Sequence, residues 1–463
     1  MSENSSLFQR LKSAWREIAG TNSVSGGFSA DLTANDDLKK LQKQMMDCLE
    51  ARGGEVSARA RAADLGRTYL ALNTAGRKRF LSLVAEKFGP DNAAIESAVT
   101  VLEVAGPENR ASAQEAMRKA LEPPRIRLMT QFNALPEGVK FLVDLRSDLI
   151  CFADTPAMKS LDSDLRQLLT SWFDIGFLEL RRITWDSPAS LLEKLIAYEA
   201  VHEIRSWDDL KNRLAADRRL FAFFHPRMPD EPLIFVQVAL VKGLAGNVTA
   251  LLDESAPEGD PVAADTAIFY SISNAQKGLV GISFGGFLIK RVVDELQAEF
   301  DGLKTFSTLS PIPGFARWAK GALESEKDLL GTEDRAALSA MFDAGDSNEA
   351  MRLVLDDSSW ADDPEKVELL EPVLTRLCAR YLLTERNERG RSRDPVAHFH
   401  LTNGARVERI NWLADTSVHG LSQSCGMMVN YLYNLDRIET NHERYTGDGK
   451  VAASTAVNRI LKK

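Results

Sequence analysis

AIFYSISNAQKGLVGISFGGFLIKRVVDEL, residues 267–296, decides the reading of the fold. It opens on an aromatic and β-branched run that reads as a strand. A second apolar run, GLVGISF, reads as a strand ending among three close glycines, Gly281, Gly285 and Gly286. An amphipathic helix follows, packed through Phe287, Ile289 and Val293. Strand, glycine turn and helix together are a unit of mixed α/β architecture. Glycines allow close backbone approach, and the N–H groups of a helix start favour an anion, so phosphate or pyrophosphate is the natural ligand. A tight turn without a ligand is the alternative. The segment Gly281-Ile282-Ser283-Phe284-Gly285 also spells the G-x-S-x-G pattern of serine hydrolases, which makes Ser283 a rival nucleophile. Against that reading, no HGGG-type oxyanion segment lies upstream.

Similar texture extends outward on both sides. RLFAFFH (219–225) and LIFVQVALV (233–241) read as strands before it, and KTFSTLSPIPGF (304–315) and VAHFHLTNGARVERINWL (396–413) as strand-bearing segments after it. A charged, more helical stretch, about 320–388, lies between the last two as an insertion. Upstream of about residue 171 the pattern is helical. In DLKKLQKQMMDCLEAR (37–52), Leu38, Leu41, Met45, Met46 and Leu49 fall at helical spacing. TYLALNTAGRKRFLSLVAEKFG (68–89) and NAAIESAVTVLEVAG (92–106) continue in that style. The expected fold is therefore α+β and multidomain. An all-α bundle over residues 1–170 precedes a mixed domain over 171–463. GTNSVSGGFSADLTAN (20–35) is small and polar, so about the first 35 residues read as a partly mobile lead-in. The bundle carries no polar constellation, which points to oligomerisation.

Composition narrows the class. The 463 residues carry a formal net charge of -9, so the chain lacks the basic footprint of a nucleic-acid binder. Cys48, Cys151, Cys378 and Cys425 form no C-x-x-C pair, which reads as free thiols in a reducing, cytoplasmic setting. No run is apolar enough to span a bilayer, and MSENSSLFQRLKSAWREIAG has no signal-peptide core. Phe8, Leu11, Trp15 and Ile18 could form one face of a helix docked on the body rather than on a membrane. The final ILKK is not the peroxisomal tripeptide.

Three further residues or groups could carry chemistry. Ser310 follows a strand, and Pro311 and Pro313 stiffen the backbone after it, so its hydroxyl can be held rigidly; a plain Ser-Pro turn is the alternative. His398 and His400 are two apart, so on a strand they face the same side. Asn403-Gly404 then reads as a hairpin turn that puts them near a loop rim. No third ligand follows at metal-site spacing, so no metal is expected. SQSCGMMVNYLYNL (422–435) places Tyr431 and Tyr433 on or beside a helix, as core or at a pocket edge.

Together SWFDIGFLELRRITWDSP (171–188), AIFYSIS, GFLIKRVV, FSTLSPIPGF and FHLTNGARVERINWLADTSVHGLSQSCGMMVNYLY (399–433) resemble the malonyl-CoA decarboxylase family. The likeness is detailed over about 170–435 and looser over the helical half. It implies an N-terminal helical domain and a C-terminal domain of the N-acetyltransferase (GNAT) fold, in which a splayed strand admits CoA. It implies that the turn Val280, Gly281, Ile282, Ser283, Phe284, Gly285 and Gly286 holds the CoA pyrophosphate. The catalytic serine maps onto Ser310, the catalytic histidine onto His400 and a nearby tyrosine onto Tyr433. Malonyl-CoA and acetyl-CoA are the implied ligands, with no cofactor and a homo-oligomer, dimer or tetramer. Animal members carry an acidic residue where this chain has Ser283, so the G-x-S-x-G match is not a family feature; if that carboxylate orients the histidine, another group must do so here. The rival functions are a serine thioesterase, an acyltransferase on the same fold and a non-enzymatic CoA-binding regulator.

Overall fold

The computed structural model describes residue 15 and residues 27–50, 55–173, 175–282, 287–325 and 329–462. The chain divides into two compact units. One is Met1–Leu178 with His225–Pro232 and Gln276–Ser283, and the other is Glu179–Phe224, Leu233–Ala275 and Phe284–Lys463.

Among the described residues of the first unit these helices follow one another: α1 (Asp37–Leu49), α2 (Glu55–Ala71), α3 (Thr74–Lys87), α4 (Asn92–Val104), α5 (Arg110–Leu121), α6 (Pro124–Asn133), α7 (Gly138–Phe152) and α8 (Pro156–Trp172). Their starts are written locally. Asn73 caps α3 through the Gly76 N–H, Asp91 caps α4 through Ala93 and Ala94, and Thr155 before Pro156 caps α8. On α1 the buried stripe is Leu41, Met45, Cys48 and Leu49, while Leu38 and Met46 face out. The described part of the lead-in makes contacts with the helices. Leu32 is buried, and the Ser29 hydroxyl donates to Asp37 at 2.5 Å. Trp15 is buried edge-on against Phe141 and donates its indole N–H to the Pro136 carbonyl at 2.9 Å, as a docked terminal segment should. Phe8, Leu11, Ile18 and residues 16–26 lie outside the described residues.

The second unit is built on one eight-stranded sheet. Its strands are β1 (Glu179–Ile183), β2 (Arg218–His225), β3 (Met228–Val241), β4 (Thr266–Asn274), β5 (Thr305–Thr308), β6 (Ser310–Pro311), β7 (Arg406–Asn411) and β8 (Met428–Leu432). The order is β1-β2-β3-β4-β5-β8-β6, with β7 also on β8. β2 and β3 are nearly continuous apolar runs because their described residues are buried on both faces. Helix α12 (Phe287–Glu299), reached after α9 (Ala189–Tyr198), α10 (Trp207–Asn212) and the short α11 (Val248–Leu251), carries the chain from β4 to β5. Such a crossover makes the two strands parallel.

That parallel ladder is short. It runs from Thr266↔Thr305 to Phe269↔Thr308 and closes with the Leu309 N–H on the Phe269 carbonyl. Beyond it β4 continues to Asn274 paired with β3, while the other chain leaves to form β6 on β8. The parted strands and this order are the acetyltransferase-like sheet that the resemblance implies. Helices α13 (Phe315–Ser325), α14 (Thr332–Met341), α15 (Ser347–Asp356) and α16 (Pro364–Leu383) form the expected helical insertion, and α17 (Pro395–Thr402) follows. The chain finishes with α18 (Val418–Ser424), α19 (Ile438–Asp448) and α20 (Thr455–Lys462) around β8. Among the described residues no helix is long and apolar enough to cross a membrane.

Some local expectations fail. The described part of GLVGISF, Gly278–Ile282, is not a strand. Lys277–Leu279 is a single 3₁₀ turn, and Gly281 sits at φ 78. Gly278 explains why: a Cβ there would lie 1.8 Å from the Val143 carbonyl oxygen, so this backbone is pressed against α7 rather than extended in a ladder. The strand-to-helix context of a hydrolase elbow is therefore missing before Ser283. Nor is VAHFHLT a strand, as the site makes clear.

Candidate active site

The histidine is placed by a helix. Asp394 precedes Pro395 and accepts the Val396 and Ala397 N–H groups at 3.0 and 2.9 Å, which starts α17. Asn403-Gly404 ends that helix instead of turning a hairpin. Gly404, at φ 79, donates to the Leu401 carbonyl and Ala405 to the His400 carbonyl, both at 3.1 Å, a Schellman closure. A Cβ at Gly404 would lie 2.2 Å from the Ile438 carbonyl oxygen. Two residues on a helix are turned by about 200°, so His398 and His400 part company. His398 meets the Tyr445 hydroxyl at 2.8 Å, whereas His400 turns into the core. Among the described residues no three metal-binding side chains gather.

The tyrosines are placed by a strand, not a helix. Cys425 (φ 51) and Gly426 (φ 74) break the chain out of α18 and into β8. With a period of two, Tyr431 and Tyr433 then reach the same side and meet one imidazole. Tyr431 stacks on the His400 ring, with centroids 4.6 Å apart and planes 23° apart. The Tyr433 hydroxyl lies 2.7 Å from His400 Nδ1.

Ser310 completes the group from β6. Its Oγ is 3.0 Å from His400 Nε2 and donates to Thr308 Oγ1 at 2.8 Å. Thr308 Oγ1 also accepts the Tyr431 N–H at 3.2 Å. Ser310 is 6% exposed, and His400 and Tyr433 are 3% exposed. Burial with no compensating charge pushes the imidazole down to about 3, so His400 rests neutral rather than poised near its ordinary value. The same burial holds the Tyr431 and Tyr433 phenols well above theirs.

One carboxylate ties the serine segment to the histidine helix. The second oxygen of Asp394 accepts the Gly314 N–H at 3.2 Å and the Tyr381 hydroxyl at 3.4 Å. Gly314 is required by that approach, since a Cβ would lie 2.1 Å from the Tyr381 oxygen. The structure thus brings together Ser310, His400 and Tyr433. It adds Thr308 and Asp394, which sequence patterns do not single out as part of a site, and Tyr431, which the sequence offered as core or at a pocket edge. Only the Asp-Pro helix start at 394–395 was a usable signal.

The glycine turn belongs to the first unit, and Val280, Gly281 and Ile282 are its described residues. Ser283, Phe284, Gly285 and Gly286 lie outside the described residues. Buried Arg146 on α7 spans the turn, donating to the Gly278 and Val280 carbonyls at 2.7 and 2.9 Å and to Asp162 at 2.8 Å.

A helical domain and a mixed sheet that parts beside a buried hydroxyl–imidazole pair define an α+β protein of acetyltransferase-like fold. Comparison with known proteins narrows this. The family model described as malonyl-CoA decarboxylase C-terminal domain matches residues 176–463, and the N-terminal domain model matches residues 88–173. The mitochondrial malonyl-CoA decarboxylase of Anser anser anser is 39% identical over 418 residues, 86% of this chain and 83% of that protein. The Rattus norvegicus enzyme is 38% identical over 424 residues, covering 87% and 86%. The crystal structure of malonyl-CoA decarboxylase from Rhodopseudomonas palustris superposes with a TM-score of 0.83 at 43% identity, over 91% of this chain and 99% of that one. That from Agrobacterium vitis gives 0.82 at 42%, over 92% and 100%. The chain belongs to the malonyl-CoA decarboxylase family.

Proposed function

We propose that this chain converts malonyl-CoA to acetyl-CoA and carbon dioxide, with Ser310 and His400 at the reacting carbon and Tyr433 on the far side of the imidazole. Membership of the family gives the reaction. The contact of Ser310, His400 and Tyr433 within one buried cluster is the observation that carries the site.

The chemistry needs no outside electron sink. As the C–C bond to the carboxylate breaks, its electron pair moves toward the thioester carbonyl, giving an enolate and carbon dioxide. The enolate carbon then takes one proton and becomes the acetyl methyl group. The protein's tasks are to hold the carboxylate out of the carbonyl plane and to deliver that proton. In this reading the turn Val280–Gly286 takes the pyrophosphate, and binding of that remote handle holds the acyl end in place.

The neutral resting histidine shapes the cycle. A carboxylate about 4 Å from the imidazole contributes about 4 kcal/mol at an effective dielectric of about 20, which offsets much of the burial effect. An imidazolium therefore becomes accessible as the substrate binds, formed with one proton drawn from solution. When carbon dioxide leaves, the imidazolium loses its counter-charge in a buried site. It is then driven to give its Nε2 proton to the enolate carbon. The Ser310 oxygen accepts from Nε2 and keeps that N–H aimed at the reacting centre. Tyr433 on Nδ1 orients the imidazole.

Product analysis tests this. Purified protein given malonyl-CoA should release acetyl-CoA and carbon dioxide in equal amounts. Free CoA with malonate would make it a thioesterase, and no turnover would leave a CoA-binding regulator; either result refutes the proposal.

A further inference from the structure

We propose that Thr308 is a positioning residue that sets the direction of the hydrogen-bond chain from Tyr433 through His400 to Ser310. This rests on the reading of Ser310 and His400 given above. Ser310 has one hydroxyl hydrogen and two neighbours able to accept it, Thr308 Oγ1 at 2.8 Å and His400 Nε2 at 3.0 Å. The hydrogen goes to Thr308. Thr308 Oγ1 also accepts the Tyr431 N–H at 3.2 Å, so both of its lone pairs are engaged and its own hydrogen points elsewhere.

The consequences run along the chain of contacts. With its hydrogen spent on Thr308, Ser310 Oγ can only accept from the imidazole. Nε2 must then carry a hydrogen, and a neutral imidazole leaves Nδ1 bare. Nδ1 accepts from the Tyr433 hydroxyl at 2.7 Å. Every donor points the same way, and the proton to be delivered already sits on the nitrogen beside Ser310. The extra proton taken up with substrate enters at Nδ1. Without the Thr308 hydroxyl the pattern reverses. The only acceptor left to Ser310 is Nε2, the imidazole shifts its hydrogen to Nδ1, and the proton to be delivered is no longer in place on Nε2 before substrate binds.

Thr308 can act this way because of where it sits. It is the last residue of β5, fully buried, two residues from Ser310, at the end of the ladder where β4 and β5 part. Leu309 turns the other way into an apolar cluster with Tyr270 and Met428. The period of two therefore puts the Thr308 and Ser310 oxygens on one side of an extended segment.

The test is a double-mutant cycle on the full chain with malonyl-CoA. Thr308→Val keeps shape and removes the acceptor. It should lower kcat about 10–100-fold while KM moves less than about threefold, the loss expected when one or two charge-assisted hydrogen bonds are misdirected. Introduced into Ser310→Ala, the same change should have almost no further effect, because Thr308 acts through Ser310. Thr308→Ser restores the hydroxyl and should bring kcat back to within about threefold of the parent. A Thr308→Val loss that repeats in full on top of Ser310→Ala overturns the inference. If valine at 308 prevents folding, Thr308→Ser carries the test alone, and a loss as large as that of Ser310→Ala overturns it. Full activity of Ser310→Ala by itself would instead sink the underlying site reading, so the two failures are distinct.

Discussion

The turn at residues 276–282 and the turn at residues 308–314 each lead toward a helix, and each was read from sequence as a place to hold a serine. They are fixed by different means. The first is held by its backbone carbonyls: Arg146 takes those of Gly278 and Val280, and Gly278 lies flat against Val143. The second is held by side chains: Ser310 on Thr308 and His400, and Gly314 on the Asp394 carboxylate that also starts the histidine's helix. Internal bonds of the Leu279, Val280 and Ile282 N–H groups add to Arg146 in making the first turn a rigid backbone beside the proposed anion site. A turn whose hydroxyl meets an imidazole is suited to moving protons. Binding and chemistry are thus expected at different serines, and three measurements can break or sharpen that division.

The largest effect should come from the second turn. Ser310→Ala and His400→Ala should each lower kcat by about 10²–10⁴-fold, the usual worth of acid–base groups. Ser283→Ala should act mainly on KM for malonyl-CoA. A hydrolase inverts this pattern, with Ser283→Ala silencing turnover and a fluorophosphonate probe labelling Ser283. Decarboxylation has no use for an acyl-enzyme, since a serine attacking the thioester would consume the carbonyl that must act as electron sink. Malonyl transfer to Ser283 during turnover would therefore refute the mechanism.

Much of this was readable in the chain, and the misses have physical causes. RLFAFFH, LIFVQVALV and AIFYSIS were legible as strands because strands buried on both faces leave unbroken apolar runs. VAHFHLT was misread because alternation suggested a strand, while the Asp394-Pro395 cap, a stronger and more local signal, went unused. Asn403-Gly404 has two meanings, hairpin or helix end, and only Ile438 packed against Gly404 decides between them. Tyr431 and Tyr433 were set beside a helix because nothing in SQSCGMM announces two successive left-handed residues at 425 and 426. The ties of Asp394 to Gly314 and of Thr308 to Tyr431 span 80 and 123 positions, where no local pattern reaches.

A smaller effect follows from the neutral histidine. His400 is held at about 3 when folded against an ordinary 6.5. Between those values the unfolded chain binds a proton that the folded chain refuses. This contribution to stability is fully present above about pH 6.5 and is lost as pH falls toward 3, by up to about 1.4 kcal/mol per pH unit. His202, His225 and His398 are also lowered by burial, so the useful quantity is a difference between proteins. The stability gap between the parent and His400→Gln, from denaturant unfolding, should change steadily between pH 6 and 4 at about that slope. A gap that stays constant would mean that His400 is already charged in the folded protein.

The smallest effect separates the two tyrosines on either side of the imidazole. Both rings are buried, but only Tyr433 gives its hydroxyl a task, at His400 Nδ1. The Tyr431 oxygen is buried with no hydrogen-bond partner among the described residues, although its N–H serves Thr308. An unpaired buried hydroxyl costs about 1–3 kcal/mol. Tyr431→Phe removes that hydroxyl and leaves the ring, its stack on His400 and its backbone contact in place. Its unfolding midpoint should therefore equal or exceed the parent's, with kcat within about twofold. Tyr433→Phe, by contrast, strips Nδ1 of its donor and should lower kcat about tenfold, the worth of one such bond. A Tyr431→Phe protein destabilised by more than about 1 kcal/mol would show that this hydroxyl is satisfied after all, by an ordered water or by a shift of the nearby Asp394.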